Sequence, residues 1–148
     1  MFDPYQAPFF FLTNYYTGTA ADLAKDNKSV VGAVKGVSGN QIWTTEVVDQ
    51  ARNLYYIRNA TQGTYLSISG SPYPVNPLLS TPTKQLWEIR PSPTASSPSG
   101  SQVVRIYYQA SNYLVDLTAS NPAPGTAIIV YPTQTPGLNQ QWRIEAAT

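Results

Sequence analysis

Hydrophobic residues along this chain gather in short bursts, and the gaps between them are filled by Gly, Pro, Asn, Ser and Thr. The bursts are rich in Val, Ile, Tyr and Trp, residues that pack well on a pleated surface. In order they read "FFFLTNYY", "AADLA", "SVVGAV" and "QIWTTEVV"; then "LYYIRNA", "YLSISG", a weak "PLLS" and "QLWEIR"; then "QVVRIYY", "YLVDLT", "TAIIVY" and "QQWRIEA". They predict twelve short strands and an all-β chain. A helix over "TEVVDQARN" competes with this reading, but the order of elements in the other groups argues for a strand followed by a turn.

The bursts also repeat in fours. Each group closes on a glutamine, one residue, and a tryptophan: Gln41-Ile42-Trp43, Gln85-Leu86-Trp87 and Gln140-Gln141-Trp142. The tryptophans lie 44 and 55 residues apart, and the longer interval holds "PSPTASSPSGS", residues 91–101. That Ser/Pro-rich segment has no apolar period and predicts an exposed loop. One domain over residues 1–148 therefore divides into repeats at about 7–50, 51–94 and 102–148. Four short strands cannot bury a face alone. Three such groups about a pseudo-threefold axis close a barrel and remove most exposed edges.

Three Gln-x-Trp motifs across the whole chain resemble the ricin-B-type β-trefoil, or R-type lectin, family. The stretch from "LVDLTASNPAPGTAIIVYP" to "NQQW" is similar to fungal members. The resemblance implies a β-trefoil in which each motif tryptophan packs in a shared core and each glutamine ties a strand to a neighbouring loop. Elementary energetics agree. Truncating a buried Trp costs ~3–5 kcal/mol, and a buried amide needs partners for both of its ends.

The same resemblance implies a sugar site built from an Asp on a repeat's second strand, an aromatic on its third and an Asn just before the glutamine. The third repeat carries the set: Asp116, then Tyr131 fifteen residues later, then Asn139, followed by Gln140. Asp116 would accept hydrogen bonds from two adjacent hydroxyls, Asn139 would bridge one of them, Tyr131 would stack on the ring, and Gln140 would support the Asn side. The first repeat offers a weaker site, Asp22 and Asn40, only eighteen residues apart. Its third strand presents Gly32, Ala33 or Val34 where an aromatic is wanted. The second repeat has Ser67, Lys84 and, near the aromatic position, Leu79, and reads as scaffold. A purely structural reading of the third cluster stays open: Asp116 would brace the turn "NPAPGT", and Asn139 would shape the turn before the last strand.

Composition narrows the field. Charged residues are 11% of the chain, against ~25% in soluble proteins generally. Nine Lys/Arg nearly cancel eight Asp/Glu, and no basic stripe appears, so nucleic acid is not an expected partner. With no Cys and no His, disulfides, Cys- or His-based catalysis and the usual zinc sites are excluded. No metal and no organic cofactor are expected. The opening "MFDPYQAPFFFLTNYY" lacks a basic start and its apolar run is too short to span a bilayer, so a cytoplasmic protein without membrane insertion is expected.

The leading expectation is a non-enzymatic lectin for galactose- or mannose-type glycans and glycoproteins. One alternative is an accessory subunit of a larger protein partner, similar to the lectin-like light subunit of mushroom tyrosinase, with decayed sugar sites. The other is a β-trefoil protease inhibitor acting through the 91–101 loop. The consecutive Phe9, Phe10 and Phe11 cannot share one strand face, so at least one needs a cover or a partner. The tyrosine pairs 15–16, 55–56 and 107–108 suggest a shared structural role.

Overall fold

The computed structural model describes residues 1–93 and 101–147, and among these every regular element is a strand or a single 3-10 turn. Residues 94–100, the centre of the expected Ser/Pro-rich loop, lie outside the described residues. The strands are β1 (Phe10–Asn14), β2 (Ala20–Leu23), β3 (Val30–Ala33), β4 (Trp43–Asp49), β5 (Leu54–Asn59), β6 (Tyr65–Ser67), β7 (Asn76–Pro77), β8 (Leu79–Thr81), β9 (Trp87–Pro91), β10 (Gln102–Tyr108), β11 (Tyr113–Leu117), β12 (Thr126–Pro132) and β13 (Trp142–Ala146).

Six of them close on themselves. The ring runs β1–β13–β10–β9–β5–β4 and returns to β1, each neighbour antiparallel. Hairpins β2–β3, β6–β8 and β11–β12 hang from it, one per repeat. This is the all-β trefoil that the repeats imply. Each motif tryptophan opens a ring strand and is paired on both sides. Trp43 faces Phe10 and Asn59, Trp87 faces Tyr55 and Tyr108, and Trp142 faces Val104 and Asn14. All three side chains are sealed from solvent. Their indole N–H groups donate to equivalent carbonyls: Ala21 at 3.0 Å, Leu66 at 2.8 Å and Val115 at 3.1 Å.

That register exposes two departures from expectation. Phe10, Tyr55 and Val104 are equivalent core positions, with Leu12, Ile57 and Ile106 forming the next buried layer. The tyrosine pairs therefore do not correspond. Tyr55 is core, Tyr108 stands edge-on to Trp87 where the other repeats have Asn14 and Asn59, and Tyr16 is exposed. Pairing to the tryptophans sets the frame, and the tyrosines fall at different distances from it.

The weak strand "PLLS" is also two pieces, so thirteen strands stand where twelve were counted. Pro77 has no N–H to give a ladder. The chain there pairs with β12 as β7, buries Leu78, and only then joins β6 as β8. Strand β4 runs on to Asp49, whose side chain caps a single 3-10 turn, Gln50–Arg52, so no helix forms over "TEVVDQARN".

Alternation disposes of the three phenylalanines. Phe10 is buried, Phe9 is 52% exposed, and Phe11 lies half-buried beneath the Lys35 ammonium, 5.0 Å from its ring centre. Phe2 is also buried, edge-on to Tyr55 at 5.3 Å, although nothing in its sequence surroundings marks it as core.

Trp87→Ala should lower unfolding free energy by ~3–5 kcal/mol, since it removes a buried ring and leaves the Leu66 carbonyl without its donor. Denaturant melts followed by circular dichroism check this. A loss below ~1 kcal/mol would contradict the place given to the indoles.

Candidate functional site

The glutamines of the first and third motifs each build a bracket, whereas Gln85 of the second is only half-buried. Gln140 is fully buried. Its Nε2 donates to Asp116 Oδ2 at 2.9 Å and to the Pro132 carbonyl at 2.9 Å, while its Oε1 accepts the Gln134 N–H at 2.9 Å. Gln41 repeats the pattern with Asp22 Oδ2 at 2.9 Å, the Val34 carbonyl at 2.9 Å and the Gly36 N–H at 2.8 Å. In these two repeats the motif glutamine thus ties a strand to a loop and holds the carboxylate of its own repeat. It is too deeply buried to touch a ligand, and it supports Asp116, not the Asn139 side.

In the third repeat the other expected residues join it. Asp116 sits on β11 and is 3% exposed. Its Oδ1 accepts from Asn139 Nδ2 at 3.0 Å, and the same amide donates to the Leu117 carbonyl at 3.0 Å. Both amide protons of Asn139 therefore go to protein acceptors, so Oδ1 is what Asn139 offers a ligand. Each Asp116 oxygen receives one protein donor and keeps further lone-pair capacity. Burial pushes the Asp116 carboxyl up to about 6, against the lowering effect of the Gln140 bond. Tyr131, half-buried on β12 opposite Leu114, completes the group. Asp116, Tyr131 and Asn139 line one cavity of about 340 Å³, together with Val75, Thr118, Ala119, Ile129 and Gln134.

The first repeat shares the bracket but not the cluster. Asn40 Nδ2 reaches the Leu23 carbonyl at 3.3 Å, and no bond joins it to Asp22. Ala33, paired with Ala20, occupies the position of Tyr131. In the second repeat, Ser67 Oγ pairs with Thr81 Oγ1 at 2.8 Å, and Lys84 lies over the rings of Tyr56 and Tyr65, 5.6 Å from each centre. Thr81, not Leu79, holds the aromatic position there. Among the described residues no three His, Cys, Asp or Glu groups meet as a metal centre, and no helix is long and apolar enough to cross a membrane.

Several residues that shape the third-repeat cluster escaped the sequence reading. Asn14, fully buried in the first repeat, donates to the backbone carbonyl of Asn139 at 2.9 Å, just as Asn59 donates to that of Asn40 at 3.0 Å. The recurring Asn, eight residues ahead of Asp22 and of Ser67, was the available signal. Arg105, 4% exposed, donates to the carbonyls of Gln134 at 3.0 Å and Pro136 at 2.6 Å. Gln141 adds a bond to Pro136 at 2.9 Å. The two adjacent glutamines thus divide the work: Gln140 grips the carboxylate, and Gln141 grips the loop beside it. Gly137 closes that loop at φ +54°, where an added Cβ would meet the Gln134 carbonyl at 2.7 Å and Gln140 Oε1 at 2.8 Å.

The family model described as ricin-type beta-trefoil lectin domain-like matches residues 39–131. A search of curated protein sequences gave no match. Among solved structures, a ricin B-like lectin of Macrolepiota procera in complex with lactose is 28% identical, with a TM-score of 0.84 over 95% of this chain and 97% of that chain. The Rhizoctonia solani agglutinin is 22% identical, with a TM-score of 0.79 over 95% and 96% of the two chains. A designed threefold-symmetric protein, ThreeFoil, is 19% identical, with a TM-score of 0.76 over 95% and 99%. The last two are likenesses of fold.

Two outcomes follow from the bracket. Asp116 should titrate near pH 6 by carboxyl carbon NMR. Its folded value lies above the ordinary 3.8, so the fold takes up this proton before the unfolded chain does, and the group's contribution to stability improves as pH falls from above 6 towards 4. Asp116→Asn should abolish that contribution, as thermal melts across the range would show; identical pH profiles for the two proteins would refute it. Gly137→Ala should lower stability by ~1–3 kcal/mol, because the loop cannot keep both the left-handed backbone and the Gln140 bond. An unchanged melting temperature would show that the loop yields freely.

Proposed function

This chain belongs to the ricin-type β-trefoil lectin domain-like family, and from that premise we propose that it is a lectin whose working sugar site is the third-repeat cavity, with a galactose-type pyranoside as ligand. One observation carries the reading. The Asp116 carboxylate lies at the wall of a cavity with each oxygen held by one side-chain amide, so its remaining lone pairs have defined directions. Two neighbouring sugar hydroxyls donate to it, Asn139 Oδ1 accepts from one of them, and the Tyr131 ring packs on the sugar's C–H face. The 28%-identical relative solved with lactose supports a galactoside as the first ligand to try. Asp22 and Asn40 make a weaker second site without a stacking ring.

No catalysis is assigned. Glycoside hydrolysis commonly uses two carboxylates flanking one bond, and Asp116 is the only carboxylate lining this cavity among the described residues. The accessory-subunit reading keeps one favouring observation: Tyr5, Phe9 and Tyr16 are 70%, 52% and 60% exposed. A larger protein that co-purifies at fixed stoichiometry, together with an empty glycan array, would put that reading first.

On an array the protein should retain galactose-terminated glycans above mannose-terminated ones. In titration calorimetry Asp116→Ala should weaken binding about 10- to 100-fold, the equivalent of ~1.5–3 kcal/mol for a charged acceptor. Tyr131→Ala should weaken it without unfolding the protein, and Asp22→Ala should matter far less. Binding should also fall as pH drops through about 6, because a protonated Asp116 loses acceptor capacity. A folded Asp116→Ala protein that binds as tightly as the parent would move the site elsewhere.

A further inference from the structure

The third-repeat cavity has a wall that belongs to another repeat. Strand β7 of the second repeat crosses to β12, with Pro77 opposite Ile129 and Asn76 opposite Val130. The attachment is firm. Val75 N–H donates to the Val130 carbonyl at 3.1 Å, and Leu78 N–H donates to the Ile128 carbonyl at 2.9 Å. Asn76 is 2% exposed, and its Nδ2 ties the preceding loop down through the carbonyls of Ser69 and Ser71, both at 3.2 Å. These bonds present Val75 at the cavity, 56% exposed, with φ +63°.

Both the conformation and the residue type are unusual. A β-branched side chain is among the worst suited to the left-handed region, where Asn, Asp or Gly costs less. Backbone strain of this kind collects at ligand clamps. The cavity lining itself divides by chemistry. Asp116, Asn139, Gln134 and Thr118 offer polar groups, whereas Val75, Ile129 and Ala119 offer apolar surface beside Tyr131. The hydroxyls of a bare hexose use the first set and have no use for the second.

We propose that the second repeat, through Val75, supplies the third-repeat sugar site with an apolar subsite that favours sugars carrying an apolar group over the bare sugar. This rests on the lectin reading of that site. The group has two possible sources, an apolar aglycone or the methyl of an acylated amine on the ring, and both would lie against Val75.

The test is titration calorimetry of wild type and Val75→Asn against four probes: methyl β-galactoside, phenyl β-galactoside, galactose and N-acetylgalactosamine. Asn accepts the left-handed backbone, so the variant should melt no lower than wild type; Val75→Gly serves as a second variant with the same expectation. Wild type should bind at least one apolar-bearing probe about tenfold tighter than its bare counterpart, the scale of a filled apolar pocket. In both variants that advantage should shrink below about twofold. An advantage limited to the phenyl probe identifies the aglycone as the source, and one limited to the acetamido sugar identifies the acyl methyl. If wild type shows no advantage, or the variants keep it in full, the subsite is refuted and the sugar site stands. If wild type binds none of the four, the galactoside reading falls and takes the subsite with it.

Discussion

Three indole N–H groups hold this molecule in register. Each motif tryptophan donates to the carbonyl of Ala21, Leu66 or Val115, and in each case the next residue is the one that bears or lacks a site carboxylate: Asp22, Ser67 or Asp116. The bond that buries the ring strand against the hairpin therefore also sets the height at which the candidate functional residue leaves the hairpin. Core and site are not separate layers here. The buried glutamine two residues before the indole reaches the same carboxylate from the other side in the first and third repeats.

A device repeated three times has diverged by changes that the scaffold tolerates. A Ser in place of Asp at position 67 leaves the Trp87 bond to Leu66 intact, because the indole N–H donates to the Leu66 backbone carbonyl and not to the side chain at position 67. The surrendered space is filled locally, by the hydroxyl pair of Ser67 with Thr81 and by Lys84 over two tyrosine rings. In the first repeat the carboxylate and its bracket survive, but Ala33 stands where a ring would be needed and Asn40 turns to a backbone carbonyl. In the third repeat carboxylate, amide and ring converge on one cavity.

The third-repeat site is also assembled from all three repeats. Asn14 of the first holds the backbone of Asn139, and Val75 of the second stands at the cavity. Arg105 and Gln141, from the third repeat itself, clamp the loop that bears Gln134. The buried guanidinium of Arg105 donates to two carbonyls of that loop and so anchors its exposed residues 134–136 to the barrel.

What the sequence by itself determined follows from local periodicity and from repetition. The spacing of the three tryptophans and the alternation within strands were enough for an all-β chain in three repeats, and the resemblance of the Gln-x-Trp motifs to R-type lectins implied the trefoil with a buried indole in each. The same resemblance brought Asp116, Tyr131 and Asn139 to attention as one cluster, and those residues lie on consecutive elements of one hairpin and its exit. Tertiary structure decided the rest, since those relations join residues distant in the chain. Asn14 meets Asn139 across the closure of the ring, Val75 reaches the third-repeat cavity because β7 pairs with β12, and the corresponding positions in each repeat, Ala33 and Thr81 for Tyr131, are defined by register against the tryptophans. A strand's partner is chosen by where its hydrogen bonds and apolar face are best satisfied in three dimensions, and no local pattern encodes that choice.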